Sequence, residues 1–353
     1  MKKRRDITID VMKGILILLV VLAHAQGPGH RWIYLFHMAV FFMISGYLFG
    51  DHYEINVTQF IKRKIMSLYL PYVACNMLYL VWFLCTPVFF EREMCQRTVS
   101  GLLYEIIKIF LFRGRCSMSG ATWFLAVLFV VNVLYVFVRI AIGKMIQSEK
   151  KRYLLITLSA IASLVVGYIF YVLDINVFQV GTICSSYSAF HLGNIVRKTA
   201  VNNKLEQNKH HYTGLAILAG GGTLILLKVS DIEIRLITNT IINPIYYSLG
   251  MIFGWIIVRY AAIFLDKYRF SRNTFSYLGR HSLIILCAHF AAFRIVAAIQ
   301  CVYFNLPMSN VSSFPVVKVE GLWWLAYLAV GIGIPLLFNH LFMAIKERIL
   351  KLE

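Results

Sequence analysis

A succession of long apolar runs is the feature that most constrains how this chain can fold. About ten runs approach the length of about 20 residues that an α-helix needs to cross a bilayer. They centre on residues 8–25, 32–50, 68–88, 121–142, 153–173, 181–196, 212–228, 241–265, 279–300 and 322–345. Such runs can hide their apolar surface only in lipid or against one another. We therefore predict an all-α, polytopic integral membrane protein with about ten transmembrane helices.

The composition supports a membrane protein and argues against one ordinary soluble core. Hydrophobic residues make up 59% of the chain and charged residues 14%, whereas soluble domains carry about 25% charged residues. The formal net charge of +19 could suggest a nucleic-acid partner. The Lys and Arg residues lie in short clusters between the apolar runs, however, which is typical of topology signals. We therefore predict no nucleic-acid binding.

The distribution of Lys and Arg also predicts the orientation of the helices. If the N-terminus is cytoplasmic, 24 of the 35 Lys and Arg residues fall in the tails and loops on the cytoplasmic side. Cytoplasmic loops carry an excess of these residues, so we expect both termini to be cytoplasmic, in a multi-pass protein surrounded by the lipid of an inner or plasma membrane. The outer loop 89–120 carries five cations and fits least well. Its segment VSGLLYEIIKIFLF could form an interfacial or re-entrant helix.

We expect residues 1–353 to form a single transmembrane domain with no appended soluble domain, because only a short tail follows the last apolar run. The seven cysteines show no metal-binding spacing, and we predict no metal site. Four cysteines fall on the predicted outer side, where a disulfide is possible but the sequence alone assigns no pairing. These are Cys85, Cys95, Cys116 and Cys301.

Three ionisable residues, Asp10, Lys13 and His24, interrupt the first apolar run. Lys13 and His24 are eleven residues apart, which places both on one helix face about 16 Å apart, and Asp10 falls near the same face. Because a charged stripe facing lipid costs roughly several kcal/mol, we expect these residues to face a polar cavity. Alternatively, Asp10 and Lys13 could pair at the membrane interface, and His24 could cap the helix.

The N-terminal segment also has the form of a cleavable signal peptide. The basic stretch MKKRR precedes the apolar stretch GILILLVVLA, and Ala23-His24-Ala25 has the pattern of a cleavage site. Asp10 and Lys13 lie unusually deep for such a signal, and the next apolar run carries further polar residues. We therefore favour a retained first helix.

Further polar residues lie within or beside the later runs. His37 could be a ligand, the partner of a catalytic base or a core histidine, and Ser45 beside Gly46 is most simply explained by helix packing. Arg63 could bind a phosphate, although its cluster also fits the positive-inside rule. The remaining candidates are Trp123, Arg280, Ser282 and His289, of which Ser282 and His289 fall on one helix face.

The order of these motifs resembles the acyltransferase-3 family of membrane-bound O-acyltransferases. The stretches that carry the resemblance are IDVMKG…VVLAH, FHMAVFFMISGY, KRK…LPY, WFL and LGRHSL…H. They cover nearly the whole chain, and those in the first fifty residues are the most specific. The resemblance implies about ten transmembrane helices, an acyl-CoA donor that is usually acetyl-CoA, and an acceptor hydroxyl on a glycan or other cell-envelope molecule, acylated on the outer side.

By this resemblance, Lys13 and Arg63 bind the phosphates of acyl-CoA at the cytoplasmic side. His24 is the catalytic histidine, acting as a general base towards the acceptor hydroxyl or as an acyl carrier. Many family members have Arg at the position of Lys13, and lysine lacks the bidentate guanidinium fork. Cleavage after Ala25 would remove His24. The supporting residues would be Asp10, His37, Ser45, Trp123, Arg280, Ser282 and His289.

Two other function classes fit the same pattern of apolar runs. A transporter or flippase for a glycan or lipid-linked sugar would also have many helices and a polar interior, but would need no acyl-CoA. A sensor or ligand-binding membrane module is the second alternative. Within the acyltransferase interpretation, a succinyl donor fits as well as an acetyl donor. Exopolysaccharide, O-antigen, peptidoglycan and a lipid-linked intermediate all fit as acceptors.

Overall fold

The computed structural model describes residues 6–86, 97–113, 118–175, 177, 179–199, 208–229, 234–241 and 243–349. All regular secondary structure in these ranges is helical, which confirms the predicted all-α class for them. The α-helices are α1 Ile7–His24, α2 His30–Tyr34, α3 His37–Tyr47, α4 Val57–Lys64, α5 Leu70–Cys85, α6 Val99–Phe110, α7 Trp123–Met145, α8 Glu149–Val172, α9 Val180–Lys198, α10 Lys209–Val229, α11 Pro244–Asp266, α12 Arg269–Arg280, α13 Ser282–Tyr303 and α14 Trp323–Ile349. A π-helical turn, Ile65–Tyr69, joins α4 to α5.

Within the described ranges, eight helices are long and apolar enough to cross a membrane. They are Ile7–His24, Val57–Cys85, Gly120–Met145, Glu149–Val172, His210–Val229, Pro244–Asp266, Ser282–Tyr303 and Trp323–Arg348. These correspond to eight of the ten apolar runs. The run at 32–50 is divided into α2 and α3, of five and eleven residues. The run at 181–196 forms α9, whose polar residues lower its hydropathy.

The segment with a predicted interfacial or re-entrant helix forms α6. Thr98 caps this helix, and its hydroxyl accepts a hydrogen bond from the backbone N–H of Gly101 at 3.2 Å. The 12 residues of α6 extend about 18 Å, which is shorter than the hydrocarbon core of about 30 Å. By length, α6 therefore cannot cross a membrane as a single helix.

Two of the four cysteines considered for a disulfide can be assigned. Cys85, which is exposed, and Cys301, which is buried, both carry free thiols. The other two, Cys95 and Cys116, lie outside the described residues. The structure therefore rules out a bridge between Cys85 and Cys301.

The chain divides into two compact units. The first consists of Met1–His30, Val73–Thr122 and Leu265–Glu353. In this unit α1 packs along α12 and also contacts α13 and α14, while α13 packs against α14. The second unit consists of Arg31–Tyr72 and Trp123–Phe264. Here α9 is central and packs against α3, α7 and α8.

The backbones of α1 and α12 touch where these two helices meet in the first unit. A Cβ atom at Gly14 would overlap the carbonyl oxygen of Phe275, and one at Gly279 would overlap the carbonyl oxygen of Asp10. Glycine permits such close approach of two helices because it has no side chain. The contact fixes Lys13, which lies between Asp10 and Gly14, beside α12.

The helices α3 and α9 make a similar backbone contact in the second unit. A Cβ atom at Gly46 would overlap the carbonyl oxygen of Phe190, and one at Gly193 would overlap that of Met43. The short helix α3 and the polar helix α9 are thus packed directly against each other.

We expect Gly193→Leu to destabilise the second unit, because the new side chain has no space between α9 and α3. Overpacking of a close contact typically costs about 1–3 kcal/mol, so the detergent-solubilised variant should unfold at a lower temperature than the wild type. Gly221→Leu on α10 is the matched control, since a Cβ atom at this exposed position meets nothing within 4 Å. Equal unfolding temperatures for the two variants would contradict the close packing.

Arg139 on α7 is the centre of a charged network in the second unit and is only 3% exposed. Its guanidinium lies 2.8 Å from Asp51 and 2.5 Å from Glu54, both on the 3-10 turn that follows α3. Arg152 also pairs with Glu54, and Lys198 lies 3.5 Å from Asp51. The network therefore ties this turn to α7, α8 and α9.

Neutral polar groups continue this network between the helices. The guanidinium of Arg139 donates to the side-chain oxygen of Asn194 at 3.4 Å, and the hydroxyl of Tyr135 lies 2.9 Å from Nδ1 of His191. Nε2 of His191 in turn lies 3.0 Å from the hydroxyl of Thr157. These side chains join α7, α8 and α9 through hydrogen bonds, which buried polar groups require.

Candidate active site

Two histidines meet in the first unit. His24 ends α1 and is half-buried, while His289 lies in the second turn of α13 and is fully buried. Nδ1 of His24 is 2.9 Å from Nε2 of His289. The ring planes differ by 3° and the ring centroids are 5.1 Å apart. That separation is about the N–N distance plus the two ring radii, so the rings meet edge to edge, as an imidazole hydrogen bond requires.

The histidine pair is fixed by a backbone carbonyl and by an aromatic ring. Nδ1 of His289 lies 2.9 Å from the carbonyl oxygen of Ile285, one turn earlier on α13. The ring of Phe290 lies 4.7 Å from that of His24 and 4.2 Å from that of His289. Both ring nitrogens of His289 are therefore held, Nδ1 by the carbonyl oxygen of Ile285 and Nε2 by His24.

A segment after the 3-10 turn Met308–Ser312 reaches the same aromatic ring. Arg294 on α13 donates to the carbonyl oxygens of Val311 and Ser313, the latter at 3.0 Å. These contacts precede Phe314, whose ring lies 4.6 Å from that of Phe290. Phe314 is 42% exposed. The histidine pair therefore has an aromatic wall, of which Phe290 is the buried part and Phe314 the exposed part.

Asp10 and Lys13 occupy the other half of α1. Asp10 is buried and Lys13 is half-buried beside α12. Ser282 begins α13, and its hydroxyl donates to the carbonyl oxygen of Gly279 at 3.0 Å. Arg280 is exposed at the end of α12. The first unit thus contains six of the predicted site residues: Asp10, Lys13, His24, Arg280, Ser282 and His289.

The other four predicted site residues belong to the second unit. His37 is buried on α3, and its Nδ1 lies 2.8 Å from the carbonyl oxygen of Ile33. Ser45 is half-buried on the same helix, and Arg63 is exposed on α4. Trp123 is buried at the start of α7. Among the residues that the structure describes, no group of three or more His, Cys, Asp or Glu could hold a metal ion.

The aromatic wall corresponds to no motif in the sequence. Phe290 directly follows His289, so the sequence places it near the site, but as the neighbour of a histidine on a helix it could point away from the pair. Phe314 lies in an irregular segment without periodicity. Arg294 binds the carbonyl oxygens of Val311 and Ser313 just before it. No short-range sequence signal indicates the contact of Phe314 with Phe290.

Comparisons with known proteins identify the family. Two proteins named nodulation protein NolL match parts of the chain: one from Mesorhizobium japonicum is 32% identical over 157 residues, and one from Sinorhizobium fredii is 47% identical over 57 residues. The matches cover 39% and 12% of this chain and only 38% and 16% of those relatives. No solved structure matches. A family model described as an acyltransferase domain matches residues 6–340, which confirms the resemblance seen in the motifs. The chain therefore belongs to the acyltransferase-3 family.

Proposed function

We propose that this protein transfers an acyl group, most simply acetyl, from cytoplasmic acyl-CoA to a hydroxyl group of an extracytoplasmic sugar or polysaccharide. Membership of the family supports acyl transfer. The observation that carries the proposal is the pair of imidazole rings joined at 2.9 Å at the end of α1. Removing a proton from a hydroxyl requires a positioned base, and histidine is the commonest one.

In the proposed reaction, His24 is the general base. It takes the proton of the acceptor hydroxyl while the hydroxyl oxygen attacks the carbonyl carbon of the thioester. The carbon–oxygen bond of the new ester forms, and the carbon–sulfur bond of the acyl-CoA breaks. His24 then gives its proton to the departing thiolate. The products are the ester and free CoA, and His24 returns to its neutral form.

The proposed donor site uses the cations of the cytoplasmic side. Lys13 would bind phosphate oxygens of CoA in the first unit, and Arg63 is the corresponding candidate in the second. Lys13 is supported by its place beside α12, a helix that carries three arginines, since cations bind phosphate groups. Lys13 lies about 16 Å along α1 from His24, so the narrow pantetheine arm would bridge that distance. The arginines of α12 are Arg269, Arg272 and Arg280.

We further propose ten membrane-crossing segments with both termini in the cytoplasm, in a single acyltransferase domain of an inner or plasma membrane. The eight candidate helices would be completed by α9 and by α2 with α3. Packing of α3 directly on α9 supports this, because segments buried among other helices need not be strongly apolar. The bias of Lys and Arg supports the orientation.

Membrane vesicles of defined orientation test the proposed function. Vesicles with the cytoplasmic face outward, from cells with and without the protein, receive acetyl-CoA labelled in the acetyl group. We expect alkali-labile label in the glycan fraction only when the protein is present. Vesicles with the opposite orientation should incorporate little label, because the donor cannot reach the cytoplasmic side.

Two outcomes would contradict this proposal. Equal labelling from both vesicle orientations would exclude a cytoplasmic donor site. If labelling does not depend on the protein but export of the glycan does, the protein is a transporter or flippase. Labelling from succinyl-CoA in place of acetyl-CoA would retain acyl transfer and change only the identity of the acyl group.

A further inference from the structure

We infer that His289 is a positioning residue that fixes the tautomer of His24 and thereby makes Nε2 of His24 the basic nitrogen of the site. The catalytic meaning of this inference rests on the proposed function. Its basis is the direction of two hydrogen bonds, which is independent of any substrate.

The first hydrogen bond fixes the proton of His289. The carbonyl oxygen of Ile285 can only accept, so Nδ1 of His289, at 2.9 Å, must carry a hydrogen and donate it. The ring of His289 is fully buried, with Phe290 and Phe293 against it at centroid distances of 4.2 and 5.7 Å. An imidazolium in these apolar surroundings would be a costly buried charge. The neutral ring therefore has Nε2 as its acceptor.

The second hydrogen bond then fixes the proton of His24. Because Nε2 of His289 accepts, the hydrogen between the two rings belongs to Nδ1 of His24. A neutral His24 with its hydrogen on Nδ1 has its lone pair on Nε2. The two bonds form one directed chain, in which His24 donates to His289 and His289 donates to the backbone of α13.

These two directed hydrogen bonds suit a base that becomes charged during the reaction. When Nε2 of His24 accepts the proton of a hydroxyl, Nδ1 still donates to His289, so the new imidazolium keeps its hydrogen bond. Without His289, the neutral ring could carry its hydrogen on Nε2, where it could not accept a proton from the acceptor. Phe290 contacts both rings, at centroid distances of 4.7 Å to His24 and 4.2 Å to His289.

Two amide substitutions separate this role from simple packing. In His289→Gln, the amide reaches the position of the imidazole Nε2, and its oxygen can accept from His24. In His289→Asn, the amide reaches only the position of Nδ1, so it can keep the bond to Ile285 but cannot reach His24. We expect acyl transfer to remain within about tenfold of wild type for Gln and to fall on the order of 100-fold for Asn.

Nitrogen-15 NMR of histidine in the full-length protein in nanodiscs gives a second readout. His24 is assigned by comparison with His24→Asn. We expect hydrogen on Nδ1 of His24 in the wild type and in His289→Gln, and loss of that preference in His289→Asn. His340→Asn, on an exposed position of α14, is the control and should match the wild type in rate and in the His24 signal.

The inference is overturned if wild-type His24 carries its hydrogen on Nε2. It is also overturned if the Asn variant is as active as the Gln variant, since Asn keeps the structural bond to Ile285. If the hydrogen is on Nδ1 but the protein transfers no acyl group in the vesicle experiment, the positioning of His24 by His289 stands. In that case it is the proposed function that fails.

Discussion

Substitution of His24 by alanine is expected to lower the rate of acyl transfer by roughly 100- to 10,000-fold, the range that a general base contributes. The substitution removes the imidazole that would take the proton of the acceptor hydroxyl. It leaves Lys13 in place at the other half of α1, about 16 Å away. The rate is measured as label passing from acyl-CoA into alkali-labile ester in vesicles with the cytoplasmic face outward, at matched protein levels.

Binding of the donor distinguishes a catalytic loss from a folding defect. We expect detergent-solubilised His24→Ala to bind acyl-CoA with nearly wild-type affinity, because the phosphates would contact the other end of the helix. Lys13→Ala should show the reverse pattern, with weaker donor binding and less effect on the rate at saturating donor. A His24→Ala variant that retains a third or more of the wild-type rate would contradict the assignment of His24 as the base.

Hydropathy was sufficient to predict most of the helices, because lipid-facing segments must be apolar along their whole length. The run at 32–50 does not form one continuous helix. There the chain turns between α2 and α3, and α3 extends over only eleven residues. The hydropathy of α9 is low for a related reason. Its serines and His191 are buried against other helices, so they do not need to be apolar.

The candidate site could be predicted only where its residues lie on one helix. The eleven-residue spacing of Lys13 and His24 follows from the period of α1. The pairing of His24 with His289 joins residues 265 positions apart, and no periodic pattern carries that information. The motif resemblance named both histidines but did not predict that they touch.

The ion-pair partners of Arg139 and Arg152 could not be predicted from the sequence. In the sequence, both belong to the basic residues between the apolar runs at 121–142 and 153–173 or at their ends, where they indicate only topology. In the structure, they form ion pairs with Glu54, and Arg139 also binds Asp51. The positive-inside rule depends on the number of cations near helix ends and contains no information about their partners.

The second large effect that we expect is on stability, from Arg139→Met. This substitution removes the buried cation that Glu54 and Asp51 share, while methionine keeps much of the side-chain volume. Removing one partner of a buried ion pair costs about 3–5 kcal/mol. The side chain of Asp51 is 62% exposed, however, so its contribution is reduced by solvent and most of the loss should come from Glu54.

Thermal unfolding of the detergent-solubilised protein measures this loss. Lys144→Met, at an exposed position on the same helix, is the matched control and should unfold at the wild-type temperature. An Arg139→Met variant as stable as this control would mean that the network contributes nothing measurable to the second unit. In that case, the carboxylates must be satisfied by Arg152 and Lys198 alone.

The pH dependence of unfolding provides a further test of the same network. Burial alone would raise the pKa of Asp51, but Arg139, Lys198 and Arg197 outweigh it and hold this pKa below its ordinary value. A carboxyl with a lowered pKa stabilises the fold above its ordinary pKa, and that stability is lost as the pH falls through the folded-state pKa. Without Arg139, the pKa of Asp51 rises, so Arg139→Met should lose this contribution at a higher pH than the wild type. Asp51→Asn has no carboxyl to titrate, and an acid-unfolding profile identical to that of the wild type would contradict the coupling.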